Sequence, residues 1–298
     1  MLRSCAKIAA ATPVVSPLLV QQTRNMATLK DISIRLKSVK NIKKITETMK
    51  LVAAAKYARS ERELAPAIPY GKGAKAFYDA AAEEQEDAPK ENVLIIAVTS
   101  DRGLCGSAHS SVNKRTINIV KEMPKDINAN IICIGDKARL VVSRYHPKNI
   151  VMSMNEVGRL PPTFSDARVI AQYIMDSGVD YKRGYLVFNE FKSVVSFKTS
   201  AMPFYSKSAI EASDKIWVYD SVDDTVMQEY MEYSLASLVY YALKQANCSE
   251  QSSRMTAMDS ATKNAEEMIG KRTLYYNRTR QAVITTELIE IISGATAL

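Results

Sequence analysis

The chain has 298 residues, of which 47% are hydrophobic and 24% are charged, and it carries a formal net charge of +8. This balance is typical of a folded globular protein with one large domain or two smaller ones. No uncharged apolar run reaches the roughly 18 residues that a membrane-spanning helix needs. The cysteines and histidines lack paired spacing, which argues against a disulfide framework or a zinc site. They are Cys5, Cys105, Cys133, Cys248, His109 and His146.

The first 26 residues have the composition of a mitochondrial transit peptide, because they are basic and contain no acidic residue. A secretory signal is disfavoured because Pro13 and Pro17 interrupt the apolar region. A disordered start is the remaining alternative. We expect cleavage close to Met26, and the loss of three basic residues would lower the formal charge from +8 to +5.

A long amphipathic helix is predicted over residues 27–65, which contain neither glycine nor proline. Its apolar positions recur every three or four residues, at Leu29, Ile32, Leu36, Val39, Ile42, Ile45, Met49, Val52, Ala53 and Tyr57. Prolines and glycines then interrupt the pattern, and the segment YGKGAKA at 70–76 is predicted to be a loop. An acidic linker, EEQEDAPKEN, follows at 83–92.

Residues 92–203 change to the pattern of a mixed domain. Short β-branched runs, beginning with VLIIAV at 93–98, alternate with helical patterns near 110–122, 137–145 and 167–176. Alternation at this spacing predicts an α/β domain with a largely parallel sheet. The last two strands lie only a few residues apart, so we expect them to form a hairpin.

A second long helix is predicted from about 222 to 293, on the order of 100 Å at 1.5 Å per residue. Its apolar face carries Met227, Leu235, Leu238, Ala242, Met255, Met258 and Met268. A helix of this length cannot bury that face on itself, so the first long helix is its expected partner. Residues 30–62 carry ten basic and three acidic side chains, whereas 223–298 carry seven basic and ten acidic ones. The opposite net charges favour an antiparallel pair with the α/β domain inserted between the helices.

The turn after the first strand, SDRGLCGS, opens a helix, which is where phosphate-binding loops occur. Gly103 and Gly106 suit a tight turn, but a third glycine and a GK[ST] sequence are absent. A structural turn is therefore favoured over a nucleotide site. Cys105 is interpreted as a packed small residue rather than a nucleophile, and no catalytic set is recognised around the two histidines. The basic first helix lacks the stacking aromatics expected of a nucleic-acid surface.

The C-terminal stretch ITTELIEIISGATA, residues 284–297, resembles the C-terminal signature of the γ subunits of F-type ATP synthases. The matching positions include Glu287, Glu290, Gly294 and Ala295. Three further segments resemble the family in the right order: ATLKDISIRLKSVKNIKKITETMKLVAAAKY, SDRGLCG and SEQSSRMTAMDSATKNAEEMI. With the transit peptide, the chain resembles the mitochondrial form.

The resemblance implies an α/β fold in which a long antiparallel coiled coil of N- and C-terminal helices carries an inserted Rossmann-like domain. The expected divisions are a transit peptide at 1–26, a coiled-coil helix at 27–65, a linker and helix at 66–91, the Rossmann-like domain at 92–208 and a second coiled-coil helix at 209–298.

The resemblance also implies a non-catalytic rotor shaft that couples rotation of a proton-driven c ring to ATP synthesis at β subunits. No cofactor, metal, nucleic acid or direct membrane span is expected. The implied partners are the α and β subunits of the catalytic head, the c ring, and the δ and ε subunits of the central stalk. The implied location is the matrix side of the mitochondrial inner membrane. The alternative is an α/β enzyme or nucleotide sensor with helical dimerisation arms.

Two sets of site residues follow from the resemblance. Contacts with the β subunit are expected from Arg280, Gln281, Thr285, Glu287 and Met49, although a solvated helix face remains an alternative for the first two. A packed seam position is the alternative for Met49. The tip expected to turn in an apolar sleeve comprises Ile291, Ile292, Gly294, Ala295 and Leu298. Dispersion and hydrophobic contacts are non-directional, so such a tip would turn without deep energy wells.

Overall fold

The computed structural model describes residues 28–81, 92–124, 127–211 and 223–296. The expected transit peptide, most of the acidic linker and Leu298 lie outside these residues. The described chain forms two compact units, one of residues 28–37 and 272–296 and the other of residues 38–271. The two long helices each contribute residues to both units.

The larger unit contains a five-stranded sheet. The strands are β1 (Val93–Val98), β2 (Ala129–Ile134), β3 (Ile150–Met154), β4 (Arg183–Phe191) and β5 (Phe197–Tyr205). They are ordered β3-β2-β1-β4-β5, and only the β4–β5 pair is antiparallel. The largely parallel sheet and its final hairpin confirm the expected α/β fold.

The described residues form seven α-helices, several of which cover the two faces of this sheet. They are α1 (Leu29–Leu64), α2 (Ile68–Ala81), α3 (Ala108–Glu122), α4 (Asp136–Tyr145), α5 (Phe164–Asp176), α6 (Lys207–Glu211) and α7 (Asp224–Thr296). Strand β1 is buried on both sides, which explains its unbroken apolar run. Its odd-numbered residues pack with α3 and α4, whereas its even-numbered residues pack with α2, α5 and α7. Helix α7 is therefore part of the domain core as well as a long helix.

Helices α1 and α7 pair in antiparallel orientation in the larger unit. Three cross-helix ion pairs join Lys43 to Glu266 at 2.8 Å, Lys50 to Asp259 at 2.6 Å and Glu63 to Lys244 at 2.8 Å. Hydrogen bonds from Lys263 and Lys50 lower the pKa of Asp259 to about 2, so this carboxylate is ionised at neutral pH. Two side-chain hydrogen bonds connect the helices in the same antiparallel register. The Thr262 hydroxyl donates to the Thr46 hydroxyl at 2.9 Å, and the Asn247 amide donates to the Ser60 hydroxyl at 2.8 Å. The opposite charges predicted for the two helices thus meet in the pair.

The buried seam of α1 follows a seven-residue repeat, as coiled-coil packing requires. Val39, Thr46, Ala53 and Ser60 are buried at intervals of seven, and Tyr57 and Leu64 continue the second position of the repeat. Not every apolar residue of the predicted amphipathic helix lies in this seam. The 3-and-4 spacing of Ile42, Ile45, Met49 and Val52 places them beside the seam, and all four are exposed.

The bounds of the long helices are close to the predicted 27–65 and 222–293. The start at 209 expected for the second coiled-coil helix was wrong, because α6 is a separate short helix whose Ile210 packs in the domain core and α7 begins at Asp224. Thr28 and Asp31 form a reciprocal capping box, which fixes the start of α1. Helix α7 contains Gly270 without interruption and runs for 73 residues. Among the described residues, no helix is long and apolar enough to cross a membrane.

The prediction of a loop at 70–76 was also wrong, because this segment belongs to α2. Proline at 66 and 69 confines the helix break to a short 3-10 turn, Ala65–Ala67. A side-chain carbon at Gly71 would lie 2.3 Å from Cγ of Tyr241, so glycine lets α2 approach α7 closely. The packing energy of this contact outweighs the low helix propensity of two glycines.

A matched pair of substitutions in α2 tests this explanation. Gly71→Ala should destabilise the protein by about 1–3 kcal/mol, because the tyrosine ring must move to accept the methyl group. Gly73→Ala should leave the stability of the protein unchanged or raise it by up to ~1 kcal/mol. No heavy atom lies within 4 Å of the added side-chain carbon, and alanine has a higher helix propensity than glycine. Thermal unfolding of the purified variants measures both effects. Equal melting temperatures for the two variants would contradict the close-approach explanation.

Candidate functional site: exposed faces of the two long helices

The first part of the candidate site is an exposed apolar stripe on α1. Its members, Ile42, Ile45, Met49 and Val52, follow one face of the helix beside the seam with α7. Met49 has 40% of its surface exposed, whereas its neighbour Ala53 in the seam has 1%. Met49 therefore lies outside the packed seam, and this observation disfavours the seam alternative. Lys56, which is exposed and lies seven residues after Met49, gives the same surface a positive charge.

The second part is the C-terminal portion of α7 in the smaller unit. Arg280, Gln281, Thr285 and Glu287 are all exposed on this helix. Gln281 and Thr285 are one turn apart, and the Thr285 hydroxyl donates to the Gln281 carbonyl at 2.9 Å. The guanidinium of Arg280 and the amide of Gln281 remain available as outward-facing donors. A paired arginine and glutamine suit a carboxylate-bearing loop.

The third part is the last two turns of α7. Ile291 and Ile292 are 67% and 61% exposed, and Gly294 and Ala295 are also exposed. The Thr296 hydroxyl donates to the carbonyls of Ile292 and Ser293, at 3.1 and 3.0 Å. Earlier in α7, the hydroxyls of Thr279 and Thr286 likewise donate to the backbone carbonyls four residues before them. These threonines satisfy their hydroxyls within their own helix, so the surface that they present outward is largely methyl groups.

The turn after β1 is occupied by protein groups at the position where open α/β sheets bind ligands. This position is the crevice at the carboxyl end of β1, next to β4, where the strand order reverses. The Arg254 guanidinium donates to the Gly103 carbonyl at 3.3 Å, and the Ser253 hydroxyl donates to the Cys105 carbonyl at 2.6 Å. A side-chain carbon at Gly106 would lie 3.1 Å from the Ser253 hydroxyl. The geometry assigns the turn to packing against α7.

The titratable groups near this turn have structural partners. Nε2 of His109 lies 2.9 Å from the Arg102 carbonyl and 3.3 Å from the Ser100 hydroxyl. Burial raises the pKa of the Cys105 thiol to about 11, so this group is protonated at neutral pH and is a poor nucleophile. Among the described residues, no group of three or more His, Cys, Asp and Glu side chains is placed to hold a metal ion.

The sequence reasoning missed one group of polar residues. The segment of α7 from Gln245 to Arg254 reads as a solvated helix, yet it is enclosed by α1 and by two loops of the sheet. Glu250 has only 4% of its surface exposed and pairs with Arg254. Serines at 249, 252 and 253 were the available signal, because small polar residues allow close approach of a backbone.

Comparison with known proteins identifies the family. Residues 28–298 match the family model described as ATP synthase. The chain is 57% identical over 282 residues to the mitochondrial ATP synthase subunit gamma of Drosophila melanogaster, covering 94% of each chain. It is 53% identical to the corresponding ATP synthase F(1) complex subunit of Rattus norvegicus, covering 91% of this chain and all of that one.

A solved structure shares the fold. A chain in the cryo-EM structure of the Euglena gracilis mitochondrial ATP synthase, OSCP/F1/c-ring, in rotational state 3, superposes with a TM-score of 0.74. The alignment covers 90% of this chain and 94% of that one at 20% sequence identity. The family match over every described residue, together with relatives more than half identical over nearly their full length, shows that the chain belongs to the γ-subunit family of the ATP synthases.

Proposed function

We propose that this chain is the non-catalytic rotor shaft of a mitochondrial F-type ATP synthase. In this role it couples proton-driven rotation of the c ring to ATP synthesis at the β subunits. The observation that carries the proposal is the character of the α7 tip within a family of ATP synthase γ subunits. An exposed helix end made of isoleucines and small residues, with its threonine hydroxyls bonded internally, suits a bearing surface.

The physical reason is the difference between directional and non-directional contacts. A salt bridge at the end of a turning shaft would hold one orientation and add a barrier to every rotation. Apolar burial depends mainly on area and hardly on angle. A tip formed by Ile291, Ile292, Gly294, Ala295 and Leu298 would therefore turn in an apolar sleeve formed by the α and β subunits.

Two further surfaces would contact the β subunits as the shaft turns. Arg280 and Gln281 would engage an acidic loop, with Thr285 and Glu287 making contacts one to two turns further on. Met49 would slide past changing neighbours, because a flexible, uncharged thioether adapts without binding any of them strongly. The positive charge of α1 around this position would strengthen association with acidic β-subunit loops.

The foot of the rotor would be formed by the α/β domain and the outer parts of both long helices, in contact with the c ring and the δ and ε subunits. One supporting observation is an aromatic cluster on the surface of the larger unit. The Phe164 ring lies 5.9 Å from Tyr70, 6.4 Å from Tyr233 and 5.6 Å from Tyr240, and two of these tyrosines are about half exposed. Aromatic surfaces of this kind are enriched at protein interfaces.

The location would be the matrix side of the inner membrane, where the chain is peripheral. Support comes from the basic, acid-free start of the sequence and from the mitochondrial names of the relatives. The alternative of an enzyme or nucleotide sensor has no specific observation in its favour. The turn that would hold a phosphate is packed against α7 through Ser253 and Arg254.

The direct test is purification of the assembled complex from mitochondria, followed by rotation of a probe on this chain. We expect the chain to co-purify with α, β and c-ring subunits, and a probe on its α/β domain to rotate when an immobilised head hydrolyses ATP. The isolated chain should neither bind nor hydrolyse ATP. A stationary probe on an active complex would contradict the rotor assignment.

Replacing both Arg280 and Gln281 by alanine should impair coupling or turnover of the assembled complex without lowering the amount of this chain in it. The reason is that both side chains are exposed, so their loss removes partner contacts and leaves the folded chain intact. The matched control replaces Asn277 and Arg278, which are also exposed and have the same chemistry. ATP synthesis by inverted membrane vesicles is the measurement. Equal synthesis rates in the two double variants would remove Arg280 and Gln281 from the site.

Met49→Lys should give a complex that assembles and hydrolyses ATP but pumps protons inefficiently, with a steeper temperature dependence. A cation beside an acidic β loop adds on the order of 1 kcal/mol of orientation-dependent attraction, which raises the rotational barrier. Thr48→Lys, on a neighbouring exposed position, is the charge control. Ala53→Lys is the seam control and should lower assembly, because that position is buried. Proton pumping per ATP that matches the Thr48→Lys control would exclude the role of Met49.

A further inference from the structure

The polar segment of α7 that crosses the α/β domain forms a set of directional contacts, here called the polar collar. Its members are Gln245, Ser249, Ser252, Ser253 and Arg254. Each bonds to a backbone atom of the domain, and Gln245 and Arg254 also bond to side chains of α7 itself. The acceptors or donors are the Asn189 carbonyl, the Phe191 amide, the Val194 carbonyl, the Cys105 carbonyl and the Gly103 carbonyl.

The collar contacts come from separate parts of the sheet. Ser249 donates to the carbonyl of Asn189 on β4 at 3.1 Å, and Gln245 accepts from the Phe191 amide at 2.8 Å. Ser252 donates to Val194 in the β4–β5 hairpin. Ser253 and Arg254 hold the turn after β1, at distances of 2.6 and 3.3 Å. Two loops and the end of one strand are therefore tied to the same three turns of helix.

The collar surrounds the helix together with α1. At 3.6 residues per turn, successive residues are separated by about 100°, so the five collar side chains span about 200° of the circumference. On the remaining side, Lys244 pairs with Glu63 of α1, and Asn247 donates to Ser60 at 2.8 Å. No side of the helix at this level relies on apolar contact alone. A rotation of α7 by one residue position would break all these bonds together.

Neighbouring parts of α7 lack this character. From Leu235 to Leu243 the helix packs mainly through apolar side chains, whose contacts tolerate small changes of angle. Beyond Arg254 the pairing with α1 uses isolated contacts such as Thr262 to Thr46 and Lys50 to Asp259. Hydrogen bonds, by contrast, weaken steeply when their angle changes. Angular restraint between α7 and the α/β domain is thus concentrated in the collar.

We infer that the polar collar is the positioning element that fixes the angle of α7 relative to the α/β domain. In the proposed rotor, on which this inference rests, torque arriving at the domain would enter the shaft helix through these five side chains. The collar residues touch neither nucleotide nor the reacting groups. They act by making the domain and helix turn as one body.

The test compares two triple variants in the assembled complex. The collar variant carries Ser249→Ala, Ser252→Ala and Ser253→Ala, which removes three donors and adds no bulk. The control variant carries Ser110→Ala, Thr256→Ala and Ser260→Ala; Ser110 bonds to the Ser107 carbonyl at the start of α3, Thr256 bonds to carbonyls of α7 itself, and Ser260 is exposed. A gold-nanorod probe is attached through Arg144→Cys on α4, because Cys105, Cys133 and Cys248 are buried and labelling is therefore selective.

The measured quantity is the angular variance of the probe while the immobilised head is stalled. We expect the variance to at least double in the collar variant and to stay at the wild-type value in the control. A structural defect alone would lower assembly without changing the variance of the complexes that do form. Proton pumping per ATP should fall in the collar variant as a second readout.

Variance in the assembled collar variant equal to that of the control would overturn the inference. If the triple variant does not assemble, the single variants Ser252→Ala and Ser253→Ala are measured instead. Wild-type angular variance in both single variants would also overturn the inference. The rotor proposal has a separate test, because it would be contradicted if the wild-type complex showed no ATP-driven rotation. The variance at the stalled position is measured whether or not rotation occurs.

Discussion

The covering of helix α7 is the constraint on which the rest of the structure depends. A helix of 73 residues exposes far more side-chain surface than it can bury on itself, so other elements must cover it or leave it for partners. Near its start, the sheet core covers residues such as Leu238 and Val239. The collar and α1 then enclose it, and ion pairs with α1 continue along it, for example from Lys43 to Glu266. The part from Ile284 to Thr296 remains exposed in the described structure.

The chemistry of α7 changes with the element that covers it. In the sheet core the helix is buried nearly all round, which explains why apolar residues there occupy more than one stripe. In the collar the same helix is equally buried but polar, and its side chains satisfy backbone groups of the loops. Because burying an unpaired polar group costs free energy, such a segment is stable only when its bonds are completed. Each bond therefore specifies the position of the helix as well as stabilising it.

The sequence alone predicts those elements that are marked by a local motif or by a strongly periodic apolar pattern. The strand VLIIAV, the antiparallel pairing of oppositely charged helices and the bounds of α7 were all predictable. The helix over Gly71 and Gly73 was not, because its stability comes from contact with Tyr241, more than 160 positions away in the chain. The spacing could not show that Ile42, Ile45 and Val52 are exposed like Met49, because these residues keep the same seven-residue repeat as the buried seam and differ from it only in the face of the helix that they occupy. The collar was missed because buried serines resemble solvated ones in a sequence.

The site on the long helices combines two opposite kinds of contact in one continuous element. At the collar, hydrogen bonds hold Ser253 and Arg254 to fixed backbone atoms, so a change of angle has a steep energetic cost. At Ile291 and Ile292 the available contacts are apolar, so a change of angle costs little as long as the buried area is kept. A shaft must transmit torque where it joins its domain and must slip where it meets a stationary sleeve. The distribution of polar groups along α7 provides both properties, because it confines directional bonding to the segment where the helix must not turn.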